Sequence, residues 1–239
     1  MKKILKSIVW VLFLTILLLG LPRLAAIIAS LFDYQAIDPD GAYAWRSVRH
    51  TVQALIFIIL ILGINKIKPL DYGIGLGNKE EGKKRLFLFI KFFTIYTVGA
   101  YITVIVTNSF QGFEYPLTAT NITGHLGFQL LLSGTSEELI FRAFAITMLA
   151  LLIKKRVFKG KVSVVNIIAA VIFSLAHIRF SFTPFEMQYS LFQVIYATIL
   201  GLFYGDVYEK SNSVIYPMIM HSYTNVLMVG ISIILSFIL

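Results

Sequence analysis

The sequence predicts an all-α, polytopic transmembrane bundle of about seven or eight helices, and three observations lead there. Apolar runs long enough to span a hydrocarbon core of roughly 30 Å recur along the whole chain. Of 239 residues, 58% are hydrophobic and only 14% charged, where a soluble domain carries about one quarter charged, and the mean hydropathy is +0.82. The basic residues gather in short loops between the apolar runs. No segment is long or polar enough for a separate soluble domain, so residues 1–239 read as a single integral membrane domain.

Hydropathy places the spans in order. The first covers about 4–32, the second about 51–65 and the third about 86–107. The fourth, about 124–153, is longer than a bilayer needs and must tilt or begin outside the core. The fifth covers about 162–178 and the sixth about 189–206. The last, about 213–238, reads as one helix or two short ones, because Pro217 and Gly230 both weaken it. Met1-Lys2-Lys3 followed by Ile8 to Leu21 has the shape of a signal peptide. The apolar character resumes past Pro22-Arg23 as Leu24 to Phe32, so an uncleaved first helix is expected.

The net charge of +9 does not imply a nucleic-acid partner. With the N-terminus inside, 15 of the 21 basic residues fall in inside segments. Outside loops hold only Arg46, Arg49 and Arg179, while Arg23, Lys91 and Arg142 lie within spans. That bias is the positive-inside pattern, and the basic loops face anionic lipid. A multi-pass protein with a cytoplasmic N-terminus, in the plasma membrane, is the expectation. The chain has no cysteine, which excludes disulfides, thiolate nucleophiles and Cys-ligated metals. The loop Lys66 to Arg85, rich in glycine, lacks a preceding strand and a Walker lysine-hydroxyl pair, so it reads as a flexible connection.

Chemistry concentrates in Glu137-Glu138-Leu139-Ile140-Phe141-Arg142. Each ionised group at a membrane helix centre costs roughly 2.5 to 3.5 kcal/mol even on lenient scales. At 100° per residue, Glu138 and Arg142 are i and i+4 on one face, whereas Glu137 lies about 140° from Arg142. The arginine therefore neutralises Glu138 and leaves Glu137 free, as a general base requires. Two further intramembrane pairs have i, i+4 spacing: Phe173 with His177, and His221 with Asn225. Measured from the basic loop 154–161, Glu137 and His177 rise to nearly one height, roughly 25 and 24 Å. His221, only about 16 Å from Lys210, falls short and calls for a break or a different tilt. His125, Lys91 and Arg23 read as structural or snorkelling residues, and Gly201 with Gly205 as a close helix contact.

These residues resemble the CAAX prenyl protease type II family, also called CPBP or Abi, of intramembrane proteases. Glu137 to Arg142 matches its EExxxR motif, Phe173 to His177 its FxxxH motif and His221 to Asn225 its HxxxN motif. Asn212 to Pro217 resembles the stretch leading into the third motif, so a motif core spans about 135–226. The resemblance implies peptide-bond hydrolysis inside the bilayer, on a peptide or membrane-protein substrate and without a cofactor. By motif position, Glu137 and His177 activate water, His221 and Asn225 stabilise the oxyanion, and Glu138, Arg142 and Phe173 support the site.

Two other readings use the same residues. In one, the histidines and a carboxylate bind catalytic zinc, although no HExxH helix exists. In the other, the polar core only holds helices together in a membrane scaffold or bacteriocin-immunity protein. Ser133 and Ser136 lie close to Glu137, but no glycine-flanked nucleophile elbow accompanies them. The absence of an internal repeat disfavours a transporter.

Overall fold

The computed structural model describes residues 2–182 and 185–239; Met1 of the N-terminal basic run lies outside the described residues. Among those described, seven helices follow one another: α1 (Lys2–Ala29), α2 (Ala44–Ile67), α3 (Lys79–Val106), α4 (119–149), α5 (Val164–Leu175), α6 (Leu191–Ser211) and α7 (Ile215–Ser236). Five of these, α1, α2, α3, α6 and α7, are long and apolar enough to cross a membrane. The all-α membrane bundle expected from composition is the fold observed. The last stretch is one helix, with Pro217 in its first turn, where the missing N–H costs no intrahelical bond.

Helix α4 is the buried axis. Ile140, Ala143, Phe144, Ala145 and Leu149 are all at most 2% exposed. They pack with Leu14 and Leu18 of α1, Phe57 and Ile61 of α2, Val165 and Ile172 of α5 and Tyr208 of α6. The large apolar side chains of α1 and α3 that do not join this core, such as Ile8, Leu12, Ile16, Phe92 and Ile102, are exposed. Apolar surface on that scale is unstable in water and natural in lipid.

Helix α2 begins seven residues before the apolar run from 51 suggests, because Asp38 caps it. Its carboxylate accepts from the backbone N–H of Ala42 (2.8 Å), Tyr43 (2.8 Å) and Ala44 (2.6 Å). Free N–H groups at a helix start favour an anion. The consequence reaches the site: Arg49, His50 and Gln53 become helical and turn inward. Asn78, Thr118, Ser163 and Ser190 cap α3, α4, α5 and α6 by accepting from an N–H three residues on.

Helix α4 is continuous but not uniform. Two π-helical stretches, Gln129–Ser133 and Leu139–Phe144, flank an α-helical turn, Gly134–Glu138. Such wide turns recur at functional sites, and here they bracket both glutamates. Two antiparallel hairpins that hydropathy does not reveal occupy connections: β1 (Arg156–Val157) with β2 (Val162–Ser163), and β3 (Arg179–Phe182) with β4 (Phe185–Gln188). The α5–α6 contact depends on missing side chains, as expected for Gly201 and Gly205. A Cβ on Gly201 would sit 3.1 Å from Ala170 Cβ, and one on Gly205 would overlap the Asn166 amide.

The glycine-rich loop is anchored rather than free. Val214 N–H donates to Gly73 O (2.8 Å) and Asn78 N–H to Ser211 O (2.7 Å). Gly73 and Gly77 have positive φ; a Cβ on Gly77 would collide with the backbone at Ser211 and Asn212, and one on Gly73 with the Tyr208 ring. Asn212, itself left-handed at φ 49°, donates its amide to Asp71 Oδ2 (2.7 Å), while Gly73 N–H donates to Oδ1 (2.8 Å). The Asn212 amide first, and the Gly73 N–H second, hold the Asp71 carboxyl below its ordinary range. Its contribution to stability is therefore present above the unfolded-state value and lost as pH falls through the folded one. Melting curves recorded from pH 7 down to 3 are expected to show a small acid-dependent loss that Asp71→Asn lacks.

Candidate active site

The site forms where α2, α4, α5 and α7 meet, with α6 behind it. Glu138 is fully buried and Arg142 1% exposed, and Arg142 Nη1 donates to Glu138 Oε1 at 3.0 Å. The i, i+4 pair expected from the spacing is present although π turns interrupt the helix. Arg142 is also held by Gly201 O (3.3 Å) and lies over the rings of Phe173 (4.5 Å) and Tyr204 (5.4 Å). The glycine contact thus serves the arginine, since a side chain at 201 would obstruct it.

His221 joins this pair directly. Its Nδ1–H donates to Glu138 Oε1 at 2.8 Å, and its Nε2 lies 3.8 Å from Glu137 Oε2. The shortfall in height reckoned from Lys210 does not keep His221 from the two glutamates. Ser211, Ser213 and Val214, in the turn between α6 and α7, are at most 2% exposed beneath the anchored loop. The ring stacks on Tyr204 (centroids 5.2 Å) and meets Phe173 edge-on at 5.9 Å. Asn225, one turn on, donates from Nδ2 to Ser133 Oγ at 3.2 Å.

His177 sits just past the end of α5. Its Nδ1–H donates to Phe173 O at 3.0 Å, which leaves Nε2 as the ring's acceptor. No hydrogen bond joins it to Glu137 among the described residues. The two line one cavity of about 850 Å³, together with Arg23, Arg49, His50, Gln53 and Arg179. His177 also lines a second cavity of about 240 Å³ with His221, Asn225, Phe173 and Tyr204. His177 and Gln193 therefore both line the carboxylate side and the His221–Asn225 side. Phe173 touches His177, His221 and Phe141 edge-on, so it packs among them rather than merely walling the pocket.

Glu137 is the accessible carboxylate, at 21% against 0% for Glu138. His221, His50, His177, Arg49 and Arg142 are among the charged or titratable groups within electrostatic reach of it. Among the described residues, no group of three or more His, Asp or Glu side chains is arranged to hold a metal ion.

Four residues of the site, Arg49, His50, Gln53 and Tyr204, were not anticipated from the sequence. A signal existed for the first three: Arg46, Arg49, His50 and Gln53 recur at helical spacing ahead of the apolar run. Tyr204 carried none, being one aromatic residue among many in α6. His125 is structural, as expected: it is 5% exposed and bonded through Nδ1 to Ala42 O at 2.9 Å. Arg23 lies 5.3 Å over the Phe180 ring at the cavity wall.

Gly134 sets the spacing between α4 and α7. A Cβ there would lie 2.9 Å from Ser222 N and 3.0 Å from His221 Cβ. Gly134→Ala is expected to displace His221 and lower any activity of the site by about 10²-fold, the cost of a misplacement near 1 Å. A steady-state assay set beside a melting curve separates this effect from unfolding.

No curated protein and no solved structure matches the chain. A family model described as Type II CAAX prenyl endopeptidase Rce1-like matches residues 119–227, a stretch that runs from the start of α4 to the middle of α7 and contains Glu137, Glu138, Arg142, Phe173, His177, His221 and Asn225. Over that segment, with all three motifs in place, the chain is similar to the Type II CAAX prenyl endopeptidase Rce1-like family.

Proposed function

We propose that this chain is an intramembrane endopeptidase in which Glu137 and His177 activate water without a metal ion. The observation that carries the reading is the division of labour between adjacent carboxylates. Glu138 is buried and bonded to Arg142 and His221, while Glu137 opens to the larger cavity. A water held between Glu137 and the bare His177 Nε2 gives a proton to the carboxylate as its oxygen bonds to the substrate carbonyl carbon. The oxyanion so formed meets the second cavity, where Asn225 and His221 can donate. His221 donates there only as an imidazolium, since its Nδ1–H is already given to Glu138, and that buried carboxylate is its counter-ion. Collapse of the intermediate breaks the C–N bond, and Glu137 returns its proton to the leaving amine.

The proposal extends to setting. The substrate is a peptide or membrane protein reaching the site from the bilayer, in a plasma membrane with the N-terminus of the chain cytoplasmic, as the basic loops suggest. N-terminal proteomics of cells expressing the wild-type chain or Glu137→Gln tests the reading. New N-termini that vanish with the variant support it, and identical profiles overturn it. Retained cleavage by chelator-treated protein supports metal independence, whereas stoichiometric zinc required for turnover favours the zinc reading. Undiminished biological function of Glu137→Gln favours the scaffold or immunity reading.

A further inference from the structure

Helix α2 contributes a third histidine, outside the family-matched segment. His50 is 7% exposed and Gln53, one turn on, 2% exposed. Both reach Ser136, the residue before Glu137: His50 Nδ1 lies 2.8 Å from Ser136 Oγ, and Gln53 Nε2 donates to the same oxygen at 2.9 Å. Gln53 Nε2 also lies 3.1 Å from His50 Nδ1. An amide nitrogen has hydrogens but no lone pair to offer, which favours His50 Nδ1 as the acceptor there, with the Ser136 hydroxyl turned to Nδ1 at 2.8 Å rather than to Ser133 O at 3.2 Å. The proton then belongs on Nε2. That edge of the ring is turned away from Gln53 and Ser136, and His50 lines the larger cavity together with Glu137. Glu137, Arg49, His221 and Arg46 are the groups within its electrostatic reach.

We propose that His50 is a positioning residue of the site. Gln53 and Ser136 hold it as the Nε2–H tautomer, and it presents that hydrogen to the cavity beside Glu137. It thereby fixes the orientation in which the carboxylate meets water. His221 approaches Glu137 from α7 and His50 from α2, so the base is oriented from two helices. This rests on Glu137 being the base. Ser136 lines neither cavity, so its bond to His50 orients the ring and does not make a serine nucleophile.

The test uses the full chain in lipid nanodiscs with ¹⁵N-labelled histidine. Four histidines are present, and His50→Gln identifies the signal of interest by its loss. The expected result is a protonated Nε2 and a bare Nδ1 for His50 at neutral pH, with a shift of the Nε2 signal in Glu137→Gln. A protonated Nδ1, or no response to Glu137→Gln, overturns the proposal whether or not the protein cleaves anything. With a substrate found by proteomics, His50→Gln and Gln53→Leu are each expected to lower kcat by roughly 10- to 100-fold with KM nearly unchanged. A change confined to KM, or loss of activity in Ser136→Ala with Glu137→Gln fully active, overturns it. Full activity of Glu137→Gln with an intact His50 tautomer signal refutes the assignment of the base instead, so the two failures are distinguishable.

Discussion

Glu137→Gln is expected to lower the rate of peptide hydrolysis by about 10²- to 10⁴-fold, the usual worth of a positioned general base. The amide keeps the shape of the carboxylate but cannot take a proton from water. Stability should hardly change, for a physical reason. Glu137 is partly open to the cavity, and its only ion-pair partner among the described residues is His221 at 3.8 Å, which remains bonded to Glu138. Losing a loosely held charge of this kind costs about 0–1 kcal/mol. Turnover of a peptide substrate and a melting curve on one preparation check both halves. A variant that melts much lower than wild type would show Glu137 to be a structural residue.

Glu138→Ala should behave in the opposite way and fail in stability first. Arg142 is 1% exposed, and Glu138 is its only carboxylate partner among the described residues. Removing that partner strands a guanidinium in the protein interior, at about 3–5 kcal/mol. The Gly201 carbonyl and the Phe173 and Tyr204 rings remain around it, but none carries a compensating charge. His221 loses its anchor in the same step, so activity falls too. The expected melting shift is on the order of 10 °C. Combining Glu138→Ala with Arg142→Met should recover much of it, since the pair is removed together. Thermal unfolding of the two single variants and the double variant measures this.

The contrast between these neighbours was partly legible in the sequence. The i, i+4 spacing of Glu138 and Arg142 is a property of any helical turn, so spacing alone is enough to recognise the pair. That the motif residues on three segments share a site rested instead on the matching heights of Glu137 and His177 and on the family resemblance. His221 was harder to place. Its place depends on how α7 packs against α4, and the turn before α7 is held by Gly73 and Asn78 bonding to Val214 and Ser211, more than 130 positions away in the chain. Loop anchoring of this kind leaves no local trace beyond glycines that resemble a flexible connection.

The same distinction governs α2. Hydropathy marks where a helix is apolar, so the expected start near 51 excluded Arg49 and His50. The Asp38 cap moves the start to Ala44 and carries both side chains into the cavity wall.

By itself the sequence determined the membrane bundle, the Glu138–Arg142 pair and the three motifs. Each follows from composition or from contacts within one or two turns, where helical geometry fixes which side chains are neighbours. Only the tertiary structure decided that His221 bonds Glu138 rather than standing apart, that His177 lines two cavities, and that α2 completes the site. Those relations join side chains from different helices, whose relative depth and rotation are set by packing.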